Sequence, residues 1–361
     1  MSITETLESK SKRHDAVDVW YTVCPVPAAS SLAIARDEFE EAFRETDVDL
    51  RYIRSHPDRK VRESHYDQSQ PNAFREGGNI PPIWAKSLGR NLRLIGLSWI
   101  DHYSAVLSLP GSGIETASDL RGKKLGLIKR PNDPVDYPRA TSLRAYLSAL
   151  ATANLGYKDV EFVDIPIVEA LVGAPPSTGA FSRSLFSART LRRWQGPELL
   201  ALLSGKVDAI HVHGQGVEIQ ALIDAKVVSD IRAFPDARQR IDNLAPIAFT
   251  VRGELLDSRP DIVARYLAQA IRTARWAKGN QSEAKRLIAR DSGIAEEWVD
   301  HAYSSDVANV LEPSLSPQLI EMITEQKDFL LQYGFIPNDF SVADWVASGP
   351  LEEALQLVAQ S

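Results

Sequence analysis

Asp119 to Leu127 reads Asp-Leu-Arg-Gly-Lys-Lys-Leu-Gly-Leu. It is a short polar helix, a turn at Gly122, and then the start of an apolar run of the kind a buried strand makes. Strand-like and helix-like segments alternate away from it in both directions. Downstream lie an alanine- and leucine-rich helix from Thr141 to Ala153, a strand VEFVDI, a helix from Pro197 to Leu203, and a strand VDAIHVHG. Upstream lie VDVWYTV from Val17 to Val23, a helical spacing through Leu32, Ala35, Phe39 and Phe43, and the strands VDLRYIRS and LRLIGLSWI. Such alternation predicts an α/β protein with mostly parallel sheets. Two further apolar runs, Ser104 to Leu109 and Ala245 to Val251, are read as chain crossings between two units. The tail from Arg259 onward is helical, led by PDIVARYLAQAIRTARWAK. The expected architecture is therefore two α/β lobes with a ligand cleft between them. Lobe one is expected to hold residues 1–108 and 247–361, and lobe two residues 109–246.

Composition narrows the function. The chain has 361 residues, with 41 Lys and Arg against 48 Asp and Glu, a net charge of −7. An acidic balance argues against nucleic acid or an anionic membrane as partner. No apolar run is long enough to span a bilayer. The amino terminus, MSITETLESKSKRHD, lacks a secretory apolar stretch, so a cytoplasmic protein is expected. A single cysteine, Cys24, excludes an intrachain disulfide and any multi-cysteine metal site.

Cys24 stands where a strand-like run stops, followed by Pro25 and Pro27, which prevent regular continuation. Strand ends facing a cleft collect reactive groups in α/β folds, although a free cysteine is more commonly a small buried hydrophobe. Ser64 to Pro82 is rich in Gly, Pro, Asn and Gln and reads as a polar loop, ending in a helix start, that orders over a bound anion. It carries His65, Arg75, Gly77 and Gly78. Arginine offers a planar fork for a two-oxygen anion, and glycine lets backbone approach one closely. His211 and His213 alternate on a strand and so share a face. Without a third ligand at suitable spacing they are expected to line the cleft, and no metal is expected. The basic clusters Arg51, Arg54, Arg59, Lys60, Arg62 and Arg183, Arg189, Arg192, Arg193 read as solvated faces. No dinucleotide, P-loop, nucleophile-elbow or zinc-protease motif is present.

Two resemblances follow from these residues. DLRGKKLGL, LLSGKVDA and the helix RPDIVARYLAQAIRTARWAK resemble solute-binding proteins of the sulfonate, nitrate and taurine group, which implies a two-lobed type II periplasmic-binding-protein-like fold. More narrowly, YTVCPVP around Cys24, His65 with Tyr66-Asp67-Gln68, Arg75, Gly77-Gly78, Ile80-Pro81-Pro82 and the C-terminal QKDFLLQYGFI and ADW resemble the 2′-hydroxybiphenyl-2-sulfinate desulfinase family. That family replaces a sulfinate on carbon with hydrogen and releases sulfite. The resemblance implies that Cys24, His65 and Arg75 are catalytic. It implies also that Gly77 and Gly78 contact substrate, with the Gly78 N–H donating to the sulfinate. Thr22 is expected to contact it too, as are His211 and His213, which stand roughly where the family has aromatics. Cys24 would act either as proton donor or as covalent nucleophile. No cofactor is implied, and the expected partner of a monomeric chain is a small-molecule sulfinate. The rival expectation is a non-catalytic sulfonate- or sulfinate-binding protein of a transporter or sensor. A thiamine-pyrimidine synthase, which shares the fold, needs a cysteine-rich motif that a single cysteine cannot supply.

Overall fold

The computed structural model describes residues 16–172 and 195–360. The basic cluster at Arg183, Arg189, Arg192 and Arg193 lies outside the described residues.

Among the described residues, ten strands form two five-stranded sheets. The first holds β1 (Val17–Val23), β2 (Val48–Tyr52), β3 (Ala73–Gly77), β4 (Leu92–Ser98) and β10 (Ile247–Arg252), in the order β2-β1-β3-β10-β4. The second holds β5 (Ser104–Ser108), β6 (Lys124–Lys129), β7 (Glu161–Pro166), β8 (Ala209–His213) and β9 (Lys226–Asp230), in the order β7-β6-β8-β5-β9. Each sheet has three parallel strands on one side and receives one antiparallel strand, β10 or β5, from a chain crossing. The two sheets thus repeat one topology.

This moves one expected boundary. Ser104–Ser108 pairs with β8 and β9, so it belongs to the second sheet and the crossing is residues 99–103 rather than the run itself. An apolar run entering a sheet looks the same whichever sheet receives it, and its hydrophobicity cannot mark the side. The other crossing ends at β10, which lies between β3 and β4. A buried pair ties the two crossings together, with His102 Nε2 and Asp242 Oδ2 2.7 Å apart. Burial would lower the His102 pKa, but the charge and hydrogen bond of Asp242 raise it.

A larger correction concerns Ser64 to Pro82. The expected helix start is there, at Ile80–Ser87, but what precedes it is not a loop: it is the end of one helix (Arg59–Asp67) and the central strand β3. Its breaker residues punctuate these three elements. Gln68 and Asn72 take positive φ at either end of the first junction, and Pro81 and Pro82 occupy the first helical turn, where a missing N–H costs nothing. Because β3 is hydrogen-bonded on both edges and buried, the segment is rigid scaffold and not a closing loop.

The helix Pro260–Gly279 crosses the first sheet with an apolar stripe through Val263, Tyr266, Leu267, Ala270, Ile271 and Ala274. Tyr266 is stacked between Phe39 and Phe74 at centroid distances of 4.0 and 4.1 Å. Burial of such rings on both sides anchors the strand that carries Arg75. The helix Pro317–Gln332 packs near the end of β3, where Gln326 Nε2 donates to Asn79 Oδ1 at 3.1 Å.

Candidate active site

The two sheets wall a cavity of about 1070 Å³, open mouth included. Cys24, at the carboxyl end of β1, and Arg75, on β3, line it from the first sheet; His211 and His213 on β8 line it from the second. Carboxyl ends of parallel strands are where α/β sheets leave a crevice for ligands.

Strand alternation places Thr22 and Cys24 on one face of β1. Thr22 Oγ1 lies 2.7 Å from His65 Nδ1, and His65 Nε2 lies 3.6 Å from Cys24 Sγ. Arg75 Nη2 donates to the same sulfur at 3.4 Å. The guanidinium is fixed by two backbone carbonyls, Nε to His65 O at 2.9 Å and Nη1 to Gly78 O at 2.8 Å. Of five N–H bonds, three are thereby committed and two remain for a ligand. Burial, followed by the charges of Arg75 and Arg54, holds the His65 pKa well below the usual range. The imidazole is therefore neutral at working pH, and sulfur faces one neutral ring and one cation.

The backbone leaves no slack here. Cys24 N donates to Glu76 O at 3.1 Å, and the Glu76 side chain, on the opposite face of β3, accepts from Ser30 N at 2.8 Å. A Cβ on Gly77 would stand 2.3 Å from Cys24 Sγ, at a φ of +153° that L residues rarely adopt. A Cβ on Gly78 would stand 2.3 Å from Asn243 Nδ2. Asn243 Oδ1 in turn accepts from Ile80 N at 3.0 Å and holds the helix start. Gly77→Ala should consequently push the thiol aside. The expected loss in turnover is about 10²-fold, the scale of a 1 Å misplacement, read from kcat beside a thermal melt.

Of the sequence-predicted residues, Cys24, His65, Arg75, His211 and His213 line the cavity. Thr22 is buried behind His65, and Gly77 and Gly78 shape the backbone around Cys24 and Asn243. His211 is held by Ser104 Oγ at 3.0 Å and Ser142 Oγ at 3.1 Å. Burial pushes His211 down to about 3 and His213 to about 4. Among the described residues no cluster of three or more His, Cys, Asp or Glu is grouped to hold a metal.

Several further residues form the wall, some of them, such as Tyr66 and Pro25, within the stretches that carry the resemblance, and others without a sequence signal. Arg54 was read as part of a solvated cluster, yet it lines the cavity beside Cys24. Tyr66 sits edge-on to His65 at 4.7 Å and stacks on Tyr137 at 6.2 Å; burial pushes its phenol up to about 12, so it stays protonated. Pro25, Val26, Pro138 and Leu244 complete an apolar and aromatic lining. Only the spacing of two lobes could have brought Tyr137 or Asn243 to Cys24, and spacing along a sequence does not give it.

Glu198 also lines the cavity. It is 4% exposed, its Oε2 has no hydrogen-bond partner among the described residues, and burial pushes its pKa up to about 8. The folded state holds that proton up to about pH 8, whereas the unfolded chain loses it near 4.5. Glu198 thus makes folding progressively less favourable as pH rises through that window. Glu198→Gln should be more stable than wild type by a margin that grows from pH 4.5 to 8 and is flat outside it, as read from denaturant melts.

The cavity is thus cationic around a cysteine at one end and largely apolar elsewhere, a shape suited to an organic anion. No family model matches the sequence. Two curated proteins, the 2′-hydroxybiphenyl-2-sulfinate desulfinases of Rhodococcus erythropolis and Rhodococcus qingshengii, are each 27% identical over 93% of this chain and 93% of their own length. This chain resembles a desulfinase from end to end. A crystal structure of a cysteine-to-serine mutant of the desulfurization enzyme DszB with biphenyl-2-sulfinic acid superposes with a TM-score of 0.74, at 24% identity, covering 94% of this chain and 99% of that one. The periplasmic aliphatic sulphonate-binding protein SsuA from Escherichia coli superposes at 0.62, with 15% identity and 92% coverage of each chain. The fold is accordingly the two-lobed α/β fold expected from the sequence, present in a desulfurization enzyme and in a sulphonate-binding protein alike.

Proposed function

We propose that the protein is a sulfinate desulfinase, converting an aryl sulfinate and water to the arene and bisulfite. The observation that carries this reading is the placement of Cys24 Sγ at the cavity wall, 3.6 Å from a neutral His65 and 3.4 Å from a locked Arg75. A binding protein needs the arginine but has no use for the thiol.

Arg75, with its two remaining N–H bonds, holds the sulfinate oxygens and sets the adjacent ring carbon against Cys24. With Nδ1 accepting from the Thr22 hydroxyl, His65 donates Nε2–H to sulfur and leaves the thiol proton free for the substrate. The thiol protonates the sulfur-bearing carbon, the carbon–sulfur bond breaks, and its electron pair returns to the ring. Sulfur leaves as the dioxide, which takes up water to give bisulfite and a proton, and that proton restores the thiol. The thiolate formed in between is stabilised by two donors already in place, Arg75 Nη2–H and His65 Nε2–H. Gly77 and Gly78 allow this approach; His211 and His213, both neutral, face the organic part of the substrate. Residues 16–98 with 247–360, and residues 104–172 with 195–230, act as two lobes over the ligand. The protein works as a cytoplasmic monomer without cofactor. Among the described residues no helix is long and apolar enough to cross a membrane.

Incubation with a panel of aryl and alkyl sulfinates, assayed for sulfite, tests the reading. Sulfite from aryl members supports it. Tight binding of those sulfinates without any sulfite would instead make this a binding protein.

A further inference from the structure

Among the described residues three arginines line the cavity: Arg54, Arg75 and Arg130. Two are occupied. Arg130 is paired with Asp133 at 2.6 Å and donates to Glu169 O at 2.7 Å, and Arg75 is locked on backbone carbonyls. Arg54 differs. It belongs to no ion pair among the described residues, and its one hydrogen bond there runs from Nη1 to Val23 O at 3.3 Å. Four of its five N–H bonds remain unused.

The location is informative. Val23 is the residue immediately before Cys24, so the bond ties Arg54 to the strand end that presents the thiol. Arg54 is half-buried, and its charge helps keep His65 neutral and acts on the buried Asp291 carboxyl. The Asp291 carboxyl acts on Arg54 through its charge but makes no contact ion pair with it, so no bonded anion replaces the hydration the half-buried guanidinium has lost, as a bound ligand anion would.

We propose that Arg54 is a second anion-holding residue of the site, so that the charged head of the ligand is taken by two guanidinium groups, Arg54 and Arg75, beside Cys24. The inference rests on the desulfinase reading for the identity of that ligand, a sulfinate, but on geometry alone for its being an anion. Two cations around one small anion raise its residence at the thiol and discriminate against neutral sulfones and sulfoxides of the same shape.

The single cysteine gives a clean test, because every alkylation event reports Cys24. Iodoacetate and iodoacetamide form the same sulfur–carbon bond and expel the same iodide, but only the first is an anion. In wild type the iodoacetate rate should be high relative to iodoacetamide, and benzenesulfinate should protect the thiol from iodoacetamide. In Arg54→Gln, the rate ratio should fall several-fold and the benzenesulfinate concentration needed for protection should rise about tenfold, roughly 1.4 kcal/mol. Arg54→Lys, which keeps the charge, should recover most of the rate ratio; it also serves if the glutamine variant melts early. An unchanged ratio and unchanged protection in a folded variant would overturn the assignment. Because the ratio needs no turnover, a protein that released no sulfite would still answer this question, and the two failures stay separate.

Discussion

Cys24→Ser should release sulfite about 10³-fold or more slowly than wild type, the scale of losing a positioned acid, while folding normally and still binding sulfinate. The hydroxyl occupies nearly the same space, and Cys24 is only part-buried, so packing loses little. What is lost is the acidity and the polarisable anion that Arg75 Nη2–H and His65 Nε2–H face at 3.4 and 3.6 Å. An oxygen at that position holds its proton far more tightly than sulfur does. Sulfite assays on enzyme whose melting transition and benzenesulfinate affinity match wild type make the comparison. Wild-type turnover in the serine variant would remove the thiol from the mechanism.

Arg75→Lys is expected to depress turnover far more than affinity, by about 10²-fold or more against a few-fold change in binding. Lysine keeps the charge but has neither the Nε–H for His65 O nor a fork that can hold Gly78 O, sulfur and ligand together. Orientation of the carbon–sulfur bond against the thiol matters most in the transition state, so the loss falls on kcat. Single-turnover rates and ligand affinity measured on one preparation separate the two effects. A large fall in affinity with an unchanged rate per bound complex would mean that Arg75 only captures ligand.

Much of this was legible in the sequence because short-range chemistry wrote it there. The β-branched and aromatic run before Cys24, the prolines after it, and the alternation around Asp119–Leu127 all report local backbone preferences, and β1 and β6 stand where they point. Where reading failed, breakers were mistaken for a loop. Gln68, Asn72, Gly77 and Pro81 mark the ends of elements too short for periodicity to announce, and β3, five residues long, is the result. The crossing at Ser104–Ser108 failed for another reason, since pairing partners are a property of topology and hydrophobicity does not name them. The wall residues Arg54, Tyr137, Glu198 and Asn243 are of the same kind. Each looks ordinary along the chain and meets Cys24 only when two sheets close on one cavity.

The most direct test of the central claim is a single turnover of excess enzyme with an aryl sulfinate in deuterium oxide, with both products quantified. The desulfinase account predicts sulfite and arene in equal amounts, the arene carrying one deuterium at the carbon that bore sulfur, and neither product from Cys24→Ser. Quantitative recovery of the bound sulfinate, unlabelled and intact, would contradict it.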